Sequence, residues 1–175
     1  MKSGIIIVSE LRGPVADRVL EIQRRFDPRM AAAVHPHVTI TGSSGMGPID
    51  ARTTAAELRA ALEPIARETA PMTLEFRSPI KFMQKEVVVL PLNPNGPIRR
   101  LHERIKTSGL RFQAERFTFT PHATLNFFRE LPPDELQALL ATRVTEPFTI
   151  DHIAAFKTVS IVDSKEMLRL PLEGK

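Results

Sequence analysis

Pro36-His37-Val38-Thr39-Ile40 and Pro121-His122-Ala123-Thr124-Leu125 are near-copies of one string, and one lies in each half of the 175-residue chain. Each reads Pro-His-x-Thr-aliphatic and lies inside an apolar-rich run typical of a β-strand. A shuffled chain of this composition would contain Pro-His-x-Thr roughly 0.03 times, so chance does not account for two copies. The repetition therefore predicts a chain built from two related halves.

Alternation along these strings separates polar from apolar side chains. Successive side chains of a strand point to opposite faces, so His37 and Thr39 share one face while Val38 and Ile40 share the other. The second string repeats this pattern. The apolar face can bury against a core, so two imidazoles and two hydroxyls would line a cleft if the strands lay side by side.

Composition places the chain among ordinary globular proteins, with 42% apolar and 25% charged residues. We expect residues 1–175 to form a single bilobal domain, because this length suits one well-packed core. The lack of cysteine excludes disulfides and a cysteine nucleophile, so any chemistry must come from oxygen and nitrogen groups. The net charge of +4 favours a phosphate-bearing ligand, although it is also a common solubility state.

The sequence predicts no contact with a membrane. No apolar run approaches the length of a membrane span, and the first residues include no long apolar signal segment. We therefore expect a cytoplasmic protein without a membrane partner, and a monomer.

Periodicity and turn residues predict the order of elements. Strands are predicted over residues 4–11, 72–76, 86–92, 117–128, 148–162 and 166–172, with a strand or extended bend over 80–83 and the first motif in the stretch 31–41. Helices are predicted from 14 to the Asp27-Pro28 stop, over 51–69 with Asp50 as N-cap, over 98–109 and from 132 onward. The order indicates an α+β fold with two pseudo-symmetric lobes of mostly antiparallel sheet and outer helices around a central cleft.

The paired motifs carry the chemistry that the sequence offers. Two imidazoles can serve as a general acid and a general base at the same time near neutral pH, with one ring neutral and the other protonated. In a phosphodiester reaction one ring would deprotonate the attacking oxygen while the other protonates the departing oxygen. Two threonine hydroxyls would bind the non-bridging phosphate oxygens.

The twin His-x-Thr-aliphatic motifs in a chain of this size resemble the 2H phosphoesterase superfamily, which includes 2′-5′ RNA ligase-like proteins and 2′,3′-cyclic nucleotide phosphodiesterases. Looser similarities are Phe82 before the strand of residues 87–90 and the closing stretch Phe148-Thr149-Ile150-Asp151. The resemblance therefore covers most of the chain, and the motifs carry its specificity.

The resemblance implies a bilobal α+β fold and metal-independent chemistry without a cofactor. It implies hydrolysis or formation of 2′-linked phosphodiesters, with a 2′,3′-cyclic phosphate or a 2′-5′ linkage of a nucleotide or RNA end as the partner. By position, His37 and His122 would be the acid–base pair, and Thr39 and Thr124 would bind the phosphate. We favour His122 as the base and His37 as the acid for opening a cyclic phosphate.

Further residues are candidates for substrate contact. His35 and Thr120 hold matching positions two residues before each motif histidine, so we expect both at the cleft rim. The chain has no Trp and no Tyr, which leaves Phe82 and Phe127 as the candidates for stacking on a base, with Phe128 as another. His35-Pro36-His37 can also be interpreted as metal ligands, but no carboxylate or further histidine stands at a suitable spacing.

Other polar residues have default interpretations. His102 lies in an arginine-rich helix and reads as part of a solvated face, and we assign no role to His152. Lys81, Arg116 and Arg129 would be either phosphate contacts or solvated charges. The Gly- and Ser-rich loop over residues 42–50 would either fold over a bound phosphate or serve as a mobile connector.

Two alternative functions remain open on the residues alone. One is a binding module that holds a nucleotide or RNA end without turnover, although binding alone does not require two proton-transfer groups. The other is a hydrolase for a cyclic phosphodiester that is not part of a nucleic acid, which would suit a chain without Trp or Tyr.

Overall fold

Strands and helices alternate through both halves of the chain. The computed structural model describes residues 3–82, 86–160 and 162–175. In chain order the elements are β1 (Gly4–Glu10), α1 (Pro14–Phe26), α2 (Pro28–Ala33), β2 (His37–Thr41), α3 (Ala55–Glu68), β3 (Met72–Leu74), β4 (Ile80–Lys81), β5 (Val88–Pro91), α4 (Pro97–Lys106), β6 (His122–Asn126), α5 (Pro133–Leu140), β7 (Phe148–Ile150), β8 (His152–Thr158) and β9 (Ser164–Pro171).

Each motif strand is the edge of its own antiparallel sheet. The first sheet has the order β2-β1-β8-β9, the second has the order β4-β5-β6, and β3 pairs with β7 in a short ribbon. The edges β2 and β6 lie against each other where the two sheets meet. The predicted α+β fold, with two lobes around a cleft, is therefore confirmed.

The two halves exchange helices across this meeting point. Helix α1 packs on β6, whereas α4, from the second half, packs on β2. Helix α3 covers β8 and β9, and α5 packs against α1. One continuous apolar core runs through both lobes, with Ile5 and Ile7 of β1 and Leu90 and Leu125 of the second sheet fully buried.

Buried polar side chains of α1 and the residue after it hold the second motif strand. Gln23 donates from Nε2 to the carbonyl oxygen of Thr124 at 2.8 Å. The carboxylate of Asp27 accepts the backbone N–H groups of Phe127 and Phe128, each at 2.8 Å, and that of Met30 at 3.0 Å. The position of β6 therefore depends on residues of the first half of the chain.

His102 makes the corresponding link from α4 to the first motif strand, so its interpretation as part of a solvated face is wrong. The side chain is 1% exposed, and its Nδ1 donates to the carbonyl oxygen of Ile40 at 2.7 Å. The ring stacks on Phe119, with the ring centroids 3.9 Å apart. Gly45 leaves room for it, because a Cβ there would lie 2.5 Å from the His102 ring. The sequence did not indicate this role, because the charged residues around His102 made its face of the helix look solvated.

Several predicted boundaries differ from the structure. Helix α3 begins at Ala55, because Thr54 and Glu57 form a capping box, while the carboxylate of Asp50 accepts hydrogen bonds from Arg52. Asp50 is therefore not the N-cap. The Asp27-Pro28 stop ends α1 but also opens α2, since the Asp27 side chain caps the new helix.

The predicted strands are longer than the observed ones. Strand β6 covers only residues 122–126 of the predicted 117–128. Alternation over the longer predicted strand puts Phe117 and Phe127 on the apolar face of Ala123 and Leu125, but both phenylalanines are exposed. The stretch 148–162 is divided at Asp151 into β7 and β8. Met83, at the end of the predicted strand 80–83, lies outside the described residues, as does Ile161.

The loop over residues 42–50 is packed between the lobes rather than being a free connector. The backbone of Gly45 donates to Phe117 and that of Gly47 to Gln113, and Ile49 bridges to Ile5 of β1. The segment after β2 thus pairs with the segment that leads into β6. Separately, among the helices in the described part of the chain, none is long and apolar enough to cross a membrane.

We predict that His102→Ala lowers the free energy of unfolding by about 2–4 kcal/mol, because it opens a cavity and leaves the Ile40 carbonyl without its donor. Urea denaturation at pH 7 measures this change. Arg100→Ala, at an exposed position of the same helix, is the control and should change the free energy by less than about 0.5 kcal/mol. Equal stability of the two variants would contradict the structural role of His102.

Candidate active site

A cleft of about 550 Å³ lies between the two motif strands. Eight of the residues that the sequence singled out as site candidates line this cleft: His35, His37, Thr39, Phe82, Thr120, His122, Thr124 and Phe127. The structure thus brings the two motifs together, while the individual roles of these residues stay predictions.

Strand register explains how the motif side chains reach the cleft. The alternation of burial is the same in both strands: His37 and Thr39 are half-buried between buried neighbours, and so are His122 and Thr124. In the first lobe, His37 lies opposite Glu10 of β1. In the second lobe, β6 pairs with β5, and residues Val88–Leu90 of β5 are buried. The polar face of each motif strand is therefore the face that meets the cleft.

Each motif histidine is oriented by a carbonyl group two residues earlier in the chain. His37 donates from Nδ1 to the carbonyl oxygen of His35 at 2.8 Å, and His122 donates from Nδ1 to that of Thr120 at 2.6 Å. The intervening proline keeps the residue before it extended, which brings that carbonyl within reach of the ring. Since Nδ1 carries the proton of the neutral ring, Nε2 remains available to accept or donate a proton in the cleft.

Burial sets the charge state of the two rings. Burial lowers the pKa of the His37 imidazole below its ordinary value, against the hydrogen bond to the His35 carbonyl and the nearby Glu10 carboxylate, which raise it. Burial likewise lowers the pKa of His122; its bond to the Thr120 carbonyl raises that pKa, and the charge of His37 lowers it further. A charge on His37 therefore disfavours protonation of His122, which opposes a state in which both rings are protonated.

The residues that precede the motif histidines have different partners in the two lobes. The ring of His35 donates from Nε2 to the carbonyl oxygen of Leu11 at 2.8 Å. The backbone N–H of Thr120 donates to the Ser44 hydroxyl at 3.0 Å, which connects the loop after β2 to the start of the second motif. Ser44 therefore helps to fix the carbonyl that orients His122.

Phenylalanine side chains form part of the cleft wall. The ring of Phe82 meets that of His122 edge-on, with the centroids 5.3 Å apart. Phe127 and Phe117 are partly exposed in the cleft, whereas Phe128 stacks beneath the guanidinium of Arg29 and does not line it. Alternation along the predicted strand places Phe117 on its apolar face, so the sequence did not indicate that Phe117 lines the cleft.

Glu10 is the main charged residue of the cleft that sequence reasoning missed. Its carboxylate forms an ion pair with Arg169 at 2.7 Å, and Arg169 also pairs with Glu166. His152, which is buried, accepts the backbone N–H of Glu10 and donates to Asp151. The alternation Ile6, Val8, Glu10 could have placed the carboxylate on one strand face, but the pairing of β1 with β2 is needed to place it beside His37.

The basic residues considered for phosphate contact are engaged elsewhere. Lys81 forms an ion pair with Glu86 at 2.7 Å, and Arg129 pairs with Glu135 at 2.6 Å. Arg116 lies over the ring of Phe117, 5.0 Å from its centroid. Within the described ranges, no three or more His, Asp or Glu side chains are grouped to hold a metal ion.

These features define a two-lobed α+β protein with two His-x-Thr strands at one cleft. A family model of the 2′-5′ RNA ligase superfamily matches residues 11–160, and the chain belongs to that superfamily. The resemblance to the 2H phosphoesterases is thereby confirmed. Membership supports a phosphoesterase or 2′-5′ RNA ligase-like enzyme activity.

Solved structures share the fold at low sequence identity. A crystal structure of a phosphoesterase is 16% identical and matches with a TM-score of 0.60, covering 98% of this chain and 99% of that chain. Apo LigT of E. coli is 15% identical with a TM-score of 0.62, covering 97% and 96%. LigT complexed with NADP⁺ is 13% identical with a TM-score of 0.63, covering 98% of each chain. No curated protein matches the sequence.

We predict that the two motif histidines are Nδ1–H tautomers in solution, whereas His35 is the Nε2–H tautomer. The reason is that Nδ1 of His37 and of His122 donates to a backbone carbonyl, whereas in His35 the donor to a backbone carbonyl is Nε2. Long-range ¹H–¹⁵N spectra at pH 8 measure this directly, with His37→Gln and His122→Gln used to assign the signals. His35, in the same spectra, is the internal control. An Nε2–H tautomer at His37 or His122 would contradict the proposed orientation of the rings.

Proposed function

We propose that the protein is a metal-independent phosphoesterase that hydrolyses 2′,3′-cyclic phosphates or acts on 2′-5′ phosphodiester linkages of nucleotides or RNA ends. The observation that carries this proposal is the pair of Pro-His-x-Thr strands at one cleft, each with its histidine held by Nδ1 and with Nε2 available. Binding alone requires no such pair, because hydroxyls and backbone N–H groups suffice to hold a phosphate.

The reaction needs two proton transfers, and the two rings supply both. For a 2′,3′-cyclic phosphate, one neutral ring takes a proton from water as the water oxygen bonds to phosphorus. The bond from phosphorus to a ribose oxygen breaks, and the other, protonated ring gives its proton to that oxygen. Thr39 and Thr124 donate hydrogen bonds to the non-bridging oxygens, where the negative charge lies. After the reaction, the ring that acted as the base carries the proton, and the ring that acted as the acid is neutral.

Glu10 supports the assignment of His37 as the acid and His122 as the base. Glu10 lies opposite His37 in the strand pair, and its carboxylate favours the charged form of the His37 ring. At His122, by contrast, the charge of His37 disfavours the charged form of the ring. In the ligating direction the two roles exchange by microscopic reversibility.

Nucleotide binding is supported by the likeness to LigT, which has been crystallised with 3′-AMP and with ATP. In the proposed complex, His35 and Thr120 contact the substrate at the cleft rim, and Phe82 and Phe127 contact the base. The cytoplasmic location and the monomeric state stay predictions from the sequence.

We predict that His37→Ala and His122→Ala each lower kcat/KM by about 100- to 10,000-fold, since each removes one proton-transfer group. Turnover of 2′,3′-cyclic nucleotides and 2′-5′ dinucleotides in the presence of chelator measures this, with chelator leaving the parent activity unchanged. His35→Ala is the comparison variant: it removes a rim contact with the substrate but no proton-transfer group, and we expect a loss of less than about tenfold.

Three results would contradict the proposal. Full activity in both alanine variants would remove the two-histidine mechanism, and loss of the parent activity in chelator would remove its metal independence. Saturable nucleotide binding without product under any condition would instead favour the non-catalytic binding module.

We predict that kcat/KM falls as pH rises above about 6.5, because both histidine pKa values are lowered below that ordinary value. The active free enzyme carries one proton on the pair, and a pH above both pKa values removes it. Bound phosphodiester anion raises both pKa values, so kcat should persist to higher pH than kcat/KM. Glu10→Gln should move the alkaline limb of kcat/KM to lower pH, since the carboxylate raises the pKa of His37. An alkaline limb of the kcat/KM profile that lies well above pH 6.5 would contradict this prediction.

A further inference from the structure

The wall of the catalytic cleft is largely apolar. Strand β1 contributes Ile6 and Val8, α2 contributes Met30, and β8 contributes Phe156, in addition to the phenylalanines already described. A wall of this kind accommodates a neutral ring or hydrocarbon surface and excludes water from it. The cleft therefore suits a ligand whose body is uncharged.

The polar groups of the cleft are almost all neutral. They are hydroxyls, such as those of Thr118, Thr158 and Ser164, and the imidazoles of the motif region. Among the residues that the structure describes, one carboxylate, that of Glu10, lines the cleft, and no lysine or arginine does. This contrasts with a chain that has 24 Lys and Arg residues and a net charge of +4.

Arg169 and Lys81, which adjoin the cleft residues Glu10 and Phe82, are paired with carboxylates, whereas Arg116 lies over the ring of the cleft residue Phe117 without itself lining the cleft. Arg169 binds the carboxylates of Glu10 and Glu166, and Lys81 binds Glu86. Proteins that bind several phosphates do so mainly with arginine, lysine or metal ions, because these groups offset the accumulated charge. The single proton shared by His37 and His122 offsets one negative charge, that of the reacting phosphodiester. The described lining offers a second phosphate no cationic side chain, and its one carboxylate, that of Glu10, disfavours a further negative charge in the cleft.

We propose that this cleft selects substrates whose only negative charge is the reacting phosphodiester, carried on a neutral body such as an unphosphorylated nucleoside, and discriminates against substrates with further phosphates. This inference rests on the proposed phosphoesterase function and narrows its substrate class. Within that class, a cyclic nucleotide or a dinucleoside phosphate is preferred over a longer RNA end.

A matched pair of substrates tests the inference: adenosine 2′,3′-cyclic phosphate and the same molecule with a 5′-phosphate. The base and the reacting group are identical, and the 5′-phosphate adds about two negative charges at pH 7.5. We expect kcat/KM to be at least about tenfold higher for the singly charged substrate, because the extra phosphate has no partner and meets a like charge. Equal values, or a preference for the 5′-phosphate, would overturn the inference.

Glu10→Gln tests the electrostatic origin of this preference. The ratio of kcat/KM between the two substrates should fall severalfold, and effects on the shared reacting group cancel in the ratio. An unchanged ratio would overturn the role given to Glu10.

Lys85 lies outside the described residues, so kcat/KM of Lys85→Gln is measured with the same two substrates. An unchanged ratio between them supports the inference. A wider ratio would show a cation that serves the extra phosphate and would overturn it.

Salt dependence provides an independent measurement. For adenosine 2′,3′-cyclic phosphate, kcat/KM should change by less than about threefold between 50 and 200 mM salt, whereas binding through many phosphate contacts falls far more steeply. A steep fall would overturn the inference. His122→Ala distinguishes a failure of the substrate preference from a failure of the proposed function: absence of turnover of both substrates by the parent, or equal turnover by the variant, would overturn the proposed function itself.

Discussion

The contact between the edge strands β2 and β6 is the constraint on which the rest of the structure depends. The two motif histidines belong to different sheets, and coupled proton transfer requires both rings to reach one substrate. The exchanged helices secure this arrangement: Gln23 of α1 holds the carbonyl of Thr124, and His102 of α4 holds that of Ile40. Separating the lobes would break these buried hydrogen bonds and expose the apolar core that runs through both lobes, which is energetically costly.

Local and tertiary interactions contribute differently to the chemistry. The Xaa-Pro-His string orients its own ring, since the carbonyl that accepts from Nδ1 lies only two residues earlier. The charge state of the ring depends instead on the surroundings that the fold brings to it. Burial between the lobes lowers the pKa of both histidines, and the Glu10 carboxylate acts on His37 alone. The same motif therefore occurs twice in two electrostatic environments, which is the physical basis for giving the two rings different roles.

Much of the fold was predictable, because periodicity in a strand or helix reports which face is buried. The half-buried and buried alternation matches the prediction over the His-x-Thr-aliphatic residues of each motif, and it ends at Thr41 and Asn126, which are buried. The errors have a common origin. His102 and Phe117 were assigned from neighbours in the sequence, but the partners that decide their environments, Ile40 and Gly45 of the first half, come from distant segments. Asp50 is a good N-cap by residue type, yet Thr54 provides the capping box.

The sequence by itself determined the superfamily, the α+β class and the candidate acid–base and hydroxyl groups, because the two Pro-His-x-Thr strings are local patterns with local geometry. Only the tertiary structure decided that Glu10 lies beside His37, that basic residues such as Arg169 and Lys81 are paired with carboxylates, and that the described cleft wall is apolar and nearly neutral. Strand pairing and helix exchange join residues far apart in the chain, and no local pattern specifies the register or the partner of such contacts.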